Sequence, residues 1–153
     1  MAIWIREWTA ITVCALLAAG CSARVGGPPD IVADRTACSH CTMLVSEMAY
    51  AAAYQVPGAD ARVFDEIGCM LEAMRRAGLR AGGDTRLWFH DAGDREWIEN
   101  GGAVFVRSSE IRTPMGGGIV AYRDAKRAEE AAARFHGDVV PSIAELVAVK
   151  GEQ

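Results

Sequence analysis

A helical pattern of apolar residues is the clearest signal in the first half of the chain. Val63 and Phe64 form a short apolar pair, and Asp65 follows them in the position of a helix N-cap. Beyond Asp65, apolar residues recur three or four positions apart until Gly78, as on the buried face of an amphipathic helix. That face consists of Ile67, Met70, Leu71, Met74 and Ala77. The pattern predicts a strand followed by a helix.

A weaker pattern before this helix predicts a hairpin. Residues 48–55 alternate, with Tyr50, Ala52 and Tyr54 on one side. Pro57 and Gly58 then predict a turn that leads back to the strand at residues 62–64.

The second half of the chain repeats the order of strand, capped helix and strand. Short apolar runs predict strands at 87–90, 104–106 and 119–122, and Asp124 follows as the N-cap of another helix. The predicted inward face of that helix, which ends at Gly137, consists of Ala125, Ala128, Ala132 and Phe135. These patterns predict an α+β fold of two small, similar strand and helix units. We place them at about 37–90 and 91–145 of one folded domain, with a tail at 146–153.

The N-terminal residues have the features of an export signal. An apolar run from Trp8 ends in small residues and Cys21, and it is too short to span a bilayer as a mature helix. This pattern is typical of a bacterial lipoprotein signal, cleaved after residue 20 and lipidated on Cys21, and an ordinary secretory signal is the alternative. Residues 21–36 contain a Gly-Gly-Pro-Pro run and predict a flexible tether. Ser22 is neither acidic nor bulky, so we expect anchoring at the periplasmic face of the outer membrane.

Composition limits the functions that remain. The 153 residues include 51% hydrophobic residues and carry a net charge of −4, which suits one soluble domain and gives no basic surface for nucleic acid. No Ser-His-Asp set or pair of carboxylates stands out, so we expect a binding protein and not an enzyme.

The chemistry of the chain concentrates in its cysteines and methionines. Of five cysteines, Cys38, Cys41 and Cys69 remain once the signal is removed and Cys21 is lipidated. If residues 41–43 are extended, the thiol of Cys41 and the thioether of Met43 lie on one face. Thiolate and thioether together select a soft ion such as Cu(I). A disulfide between Cys38 and Cys41 is the alternative.

Cys69 and Met115 are the other candidate ligands. Cys69 is predicted to project from the exposed side of the first helix, in the first turn, where the helix dipole favours a thiolate. Met115 lies in a Thr-Pro-Met-Gly-Gly-Gly run whose glycines keep side chains out of its way. Three other methionines, Met48, Met70 and Met74, are predicted to fill the core.

Three ordered motifs resemble those of the NosL-type lipoproteins. They are Cys-x-x-Cys-x-Met-x-Val from Cys38, Phe-Asp-x-Ile-Gly-Cys-Met from Phe64, and Thr-Pro-Met-Gly-x-Gly from Thr113. The resemblance covers residues 38–140. It implies a membrane-anchored periplasmic copper chaperone of a denitrifier, related in fold to organomercurial lyase. Its partners would be an apo-enzyme, nitrous oxide reductase, and a membrane copper exporter. The family's Cys-x-Met copper ligands correspond to Cys41 and Met43.

Two other functions remain open at the level of sequence. A thiol oxidoreductase would use Cys38 and Cys41, although a linker and not a strand precedes them. A structural zinc module would use Cys38, Cys41 and Cys69 with one histidine, His40, His90 or His136, and would leave Met43 and Met115 without a role.

Overall fold

The structure is a computed structural model, and it describes residues 26–150. The predicted signal, the predicted lipidation site Cys21 and the first residues of the predicted tether lie outside the described residues. Among residues 26–150, no helix combines the length and the apolar character needed to cross a bilayer.

The first sheet contains four antiparallel strands in the order β2-β1-β3-β4. The predicted hairpin is confirmed, since β1 pairs with β2 across the Pro57-Gly58 turn. Met48–Tyr50, however, forms a 3-10 helix and does not extend the strand. Helix α1 connects β2 to β3. The elements are β1 (Ala52–Gln55), β2 (Arg62–Phe64), α1 (Ile67–Arg76), β3 (Arg86–His90) and β4 (Trp97–Glu99).

The second sheet contains three antiparallel strands in the order β6-β5-β7. Its elements are β5 (Val104–Arg107), β6 (Ile119–Tyr122), α2 (Ala125–Arg134) and β7 (Asp138–Val140), after a 3-10 turn at Asn100–Gly102 and before α3 (Ile143–Lys150). In each sheet two strands are followed along the chain by a helix and a third strand, and the first of these strands lies between the other two; the first sheet has β4 as an additional edge strand. This shared order confirms the α+β fold of two similar units.

The N-cap residue of the helix is the predicted one in the second unit but not in the first. Asp124 caps α2 as predicted, since its carboxylate accepts a hydrogen bond from the amide of Arg127 at 3.0 Å. Glu66, not Asp65, is the N-cap residue of α1, and its side chain does not bond to its own helix. Ala125 is exposed because it starts α2 on the outer side, whereas Ala128 and Ala132 are buried.

One main core joins the two units. Phe89 of the first sheet packs edge to face against Phe105 of the second, with ring centroids 4.9 Å apart. Met70 and Met74 are fully buried in this core, as predicted for gap-filling residues. Leu146 of α3 is also buried there. Helix α3 spans the predicted start of the C-terminal tail at residue 146, so the folded domain extends beyond residue 145.

The folded part also begins earlier than the sequence predicted. The amide of Asp34 donates to the carbonyl of Val45 at 2.8 Å, and the amide of Val45 donates to Thr36 at 2.9 Å. Ile31 packs against the small apolar cluster around Val45. The last residues of the predicted tether are therefore attached to the domain. Strand pairing similarly places β4 in the first sheet, beyond the unit boundary predicted at residue 90.

Candidate metal centre

A tight loop brings Cys38 and Cys41 together beside strand β2. The amide of Thr42 donates to the carbonyl of Cys38 at 3.0 Å, and the amide of Cys38 donates to Met43 at 2.7 Å. The amide of Ser39 fixes the loop to β2 through the carbonyl of Val63, at 2.7 Å. Thr42 has a φ of 66°, so residues 41–43 turn and are not extended. The expectation that Cys41 and Met43 share the face of an extended segment is therefore wrong.

Three thiols and one carboxylate converge on a single point. The sulfurs of Cys38, Cys41 and Cys69 and a carboxylate oxygen of Asp65 all lie within 4.8 Å of one another. Cys38, Cys69 and Asp65 are buried, while Cys41 is half-buried and so forms the accessible side of the group. All three cysteines are free thiols. We call Cys38, Cys41, Asp65 and Cys69 the thiol cluster.

The burial of Cys69 corrects the sequence prediction. Cys69 lies on the side of α1 away from the apolar face, which predicted an exposed thiol, but only 5% of the residue is exposed. The loop carrying Cys38 and Cys41 covers this side of the helix, and the thiol joins the core. Burial and the nearby charge of Asp65 raise the pKa of Cys69 far above its usual value, so the helix dipole does not produce a thiolate here.

The pKa of Cys38 is also raised, because burial disfavours its charged form more than the backbone amides of Cys41, Asp65 and His40 favour it. Both buried cysteines are therefore neutral thiols in the metal-free protein at neutral pH. A metal that binds them must displace their protons.

Asp65 belongs to the thiol cluster, although its position in the sequence predicted a helix N-cap. Its residue is 1% exposed, and the thiol of Cys41 lies 3.7 Å from each of its carboxylate oxygens. Because the helix starts one residue later than predicted, Asp65 is free to turn toward the sulfurs. The signal available in the sequence was an acidic pair, Asp65 and Glu66, of which only one residue can be the N-cap.

The two candidate methionines lie outside the buried group. Met43 is 56% exposed and Met115 is 48% exposed. The loop that carries Met115 is nevertheless fixed at the start of α1, because the amides of Met115 and Gly117 donate to the Glu66 carboxylate at 3.0 and 3.3 Å. Met115 is thereby tied to the residue that follows Asp65, whereas Met43 follows Cys41 at the accessible side of the cluster.

None of the three histidines belongs to the thiol cluster within the described part of the chain. His90 is buried against Trp97, with ring centroids 3.8 Å apart, and its Nδ1 bonds to the carbonyl of Arg95. His136 pairs with Glu110 at 3.0 Å. His40 lies half-buried in the cysteine loop and supplies no atom to the group. The zinc hypothesis therefore loses its predicted histidine ligand.

The described residues thus define a small α+β domain with a sulfur-rich candidate metal centre. The chain belongs to the NosL family, whose family model matches residues 29–146. Its fold is similar to that of a crystal structure described as the copper chaperone NosL from Shewanella denitrificans, with a TM-score of 0.65. The two proteins are 16% identical, and the match covers 76% of this chain and 93% of that one. No curated protein sequence matches the chain.

Proposed function

We propose that this protein is a periplasmic carrier of Cu(I). The observation that carries the proposal is the thiol cluster, in which three free cysteine sulfurs lie within 4.8 Å of one another. Cu(I) prefers sulfur ligands, and one thiolate is enough to offset its single positive charge. The similar fold of a protein described as a copper chaperone supports the same function.

Zinc is the second candidate cargo, and Asp65 is the reason. Three cysteines and one carboxylate give four donor atoms of types that Zn²⁺ also accepts. The exposed thioethers of Met43 and Met115 distinguish the two ions, because thioether is a ligand for Cu(I) and not for zinc. Thiol exchange between Cys38 and Cys41 is less well supported, because a reactive cysteine needs a lowered pKa and that of Cys38 is raised.

We expect the Met43→Leu and Met115→Leu variants to lose Cu(I) affinity while keeping their stability. Leucine retains the volume and apolar character of methionine, so at these exposed positions the free energy of unfolding should change by less than about 1.5 kcal/mol. Removal of a thioether donor weakens copper binding alone. Titration of each reduced variant against a Cu(I) chelator, together with thermal unfolding, measures both quantities.

Met74→Leu is the matched control, because Met74 is buried in the core and should affect packing only. Unchanged copper affinity in both the Met43 and Met115 variants would show that the thioethers are not ligands.

We further propose that lipid on Cys21 holds the carrier at the membrane, on the basis of the sequence pattern that ends at this cysteine. The Cys21→Ser variant should carry no lipid and should remain uncleaved or become mislocalised. Mass spectrometry of the N-terminus and fractionation of membranes test this. A soluble, normally cleaved Cys21→Ser protein would show that the segment is an ordinary secretory signal.

The proposed recipient of the copper is an apo-enzyme, and membership of the NosL family favours nitrous oxide reductase. The test is transfer of Cu(I) from the loaded carrier to the apo-reductase, followed through the optical spectrum of the reductase. Transfer should be faster than from a small-molecule copper complex of equal affinity. A genome that encodes no such reductase would exclude this recipient and leave the copper-carrying function to be tested separately.

A further inference from the structure

Glu66 is a buried carboxylate whose position is not explained by the helix it precedes. It is the N-cap residue of α1, yet its side chain makes no bond to that helix. The residue is 2% exposed, so its charge is removed from water and needs partners. The partners are in the second unit, 49 and 51 residues further along the chain.

Both carboxylate oxygens of Glu66 lie close to the loop of the second unit that carries Met115. Oε2 accepts hydrogen bonds from the amides of Met115 and Gly117, at 3.0 and 3.3 Å. Oε1 occupies space that a side chain at Gly68 or Gly117 would need. A Cβ atom added to Gly68 would lie 2.6 Å from Oε1, and one added to Gly117 would lie 2.5 Å from it. Each such Cβ would also be 3.3 Å from the Cα of the other glycine. The loop and the start of α1 can approach this closely only because both residues are glycines.

The residues next to Glu66 belong to the thiol cluster. Asp65 precedes it and contacts the thiol of Cys41, and Cys69 follows one turn later in α1. The bond from Glu66 to the amide of Met115 therefore fixes the loop that carries an exposed thioether at the start of α1, next in sequence to Asp65. The methionine comes from the second unit, whereas the whole thiol cluster comes from the first.

We propose that Glu66 is a positioning residue for the metal centre, which holds the loop of Met115 so that its thioether completes the copper site. This inference rests on the proposed copper-binding function. It assigns the second unit a part in metal binding, because without Glu66 the Met115 loop has no polar attachment to α1 among the described contacts. Glu66 itself does not touch the metal.

A double-mutant cycle between Glu66 and Met115 tests the inference. The protein is the reduced chain from Ser22 to Gln153, which retains the whole described structure and lacks Cys14 and Cys21. Glu66→Ala should lower Cu(I) affinity about 10- to 100-fold, the effect expected when a group that orients a ligand is removed. Met115→Leu should lower it in the wild-type background and have no further effect in the Glu66→Ala background. Glu66→Gln keeps an oxygen acceptor for the two amides and should restore part of the affinity.

Gly117→Ala tests the same contact without removing the carboxylate. Its Cβ would meet Oε1 of Glu66 and displace the loop, so copper affinity should fall as in Glu66→Ala. Gly101→Ala is the matched control, because no atom lies within 4 Å of the added Cβ. If Glu66→Ala does not fold, the comparison of Gly117→Ala with Gly101→Ala still tests whether the contact with Glu66 supports copper binding.

Three outcomes would overturn the inference: equal losses from Met115→Leu in both backgrounds, unchanged affinity in Glu66→Ala, or unchanged affinity in Gly117→Ala. A purely structural role for Glu66 predicts lower stability in these variants and an undiminished effect of Met115→Leu. Failure of the wild-type chain to bind Cu(I) would instead contradict the proposed function itself.

Discussion

The Cys41→Ser variant is expected to lose nearly all Cu(I) binding while it keeps its fold. Cys41 is the half-buried member of the thiol cluster, and the other three members are buried. Its thiolate offsets the charge of the ion, which the hard, neutral hydroxyl of serine does not do. Competition with a strong Cu(I) chelator measures the loss.

The same substitution should change stability little, because Cys41 is partly exposed and its thiol makes only a weak bond to Asp65, at 3.7 Å. We expect a change of about 1 kcal/mol or less in the free energy of unfolding of the metal-free protein. A Cys41→Ser protein that folds and still binds copper with wild-type affinity would exclude Cys41 as a ligand.

The second large effect is expected at Cys69, where substitution should weaken both binding and folding. Cys69→Ser buries a hydroxyl in place of a thiol that packs in the core, at a cost of about 1 to 3 kcal/mol. Cys69→Ala avoids the buried hydroxyl, so it should be the more stable of the two. Both variants lack the sulfur and should lose copper affinity to the same extent.

This comparison separates a metal ligand from a core cysteine. Chemical denaturation of the metal-free variants gives the stability difference, and chelator competition gives the affinity. If Cys69 serves packing alone, copper affinity will remain at the wild-type level in Cys69→Ala. Met74→Leu, also on α1, controls for changes in the packing of that helix.

The regular elements were predictable because their signals are local. The helical spacing around Met70 and Met74 identified α1, and the carboxylate of Asp124 marked the start of α2. The repeated order of strand and helix was likewise visible in the apolar runs, and the two sheets follow it. These features depend on residues that are close in sequence.

The details of the metal centre were less predictable because they depend on contacts between distant segments. Helical periodicity placed Cys69 on an exposed side, and only the loop at Cys38 buries it. The choice of Asp65 as N-cap was wrong by one residue. The side chain of the true N-cap residue, Glu66, bonds to the amide of Met115 in the second unit, a contact that no local pattern shows. The left-handed backbone at Thr42 could not be read from the residue type, because glycine and asparagine are the usual residues there.

Selection of Cu(I) by the thiol cluster can be measured in a single competition titration. The reduced chain from Ser22 to Gln153 is titrated with Cu(I) in the presence of a strong chelator and Zn²⁺ at equal free concentration. We predict that a single Cu(I) binds per chain, displaces zinc and releases protons from the buried thiols. Displacement of bound copper by zinc under these conditions would show that the thiol cluster does not select Cu(I).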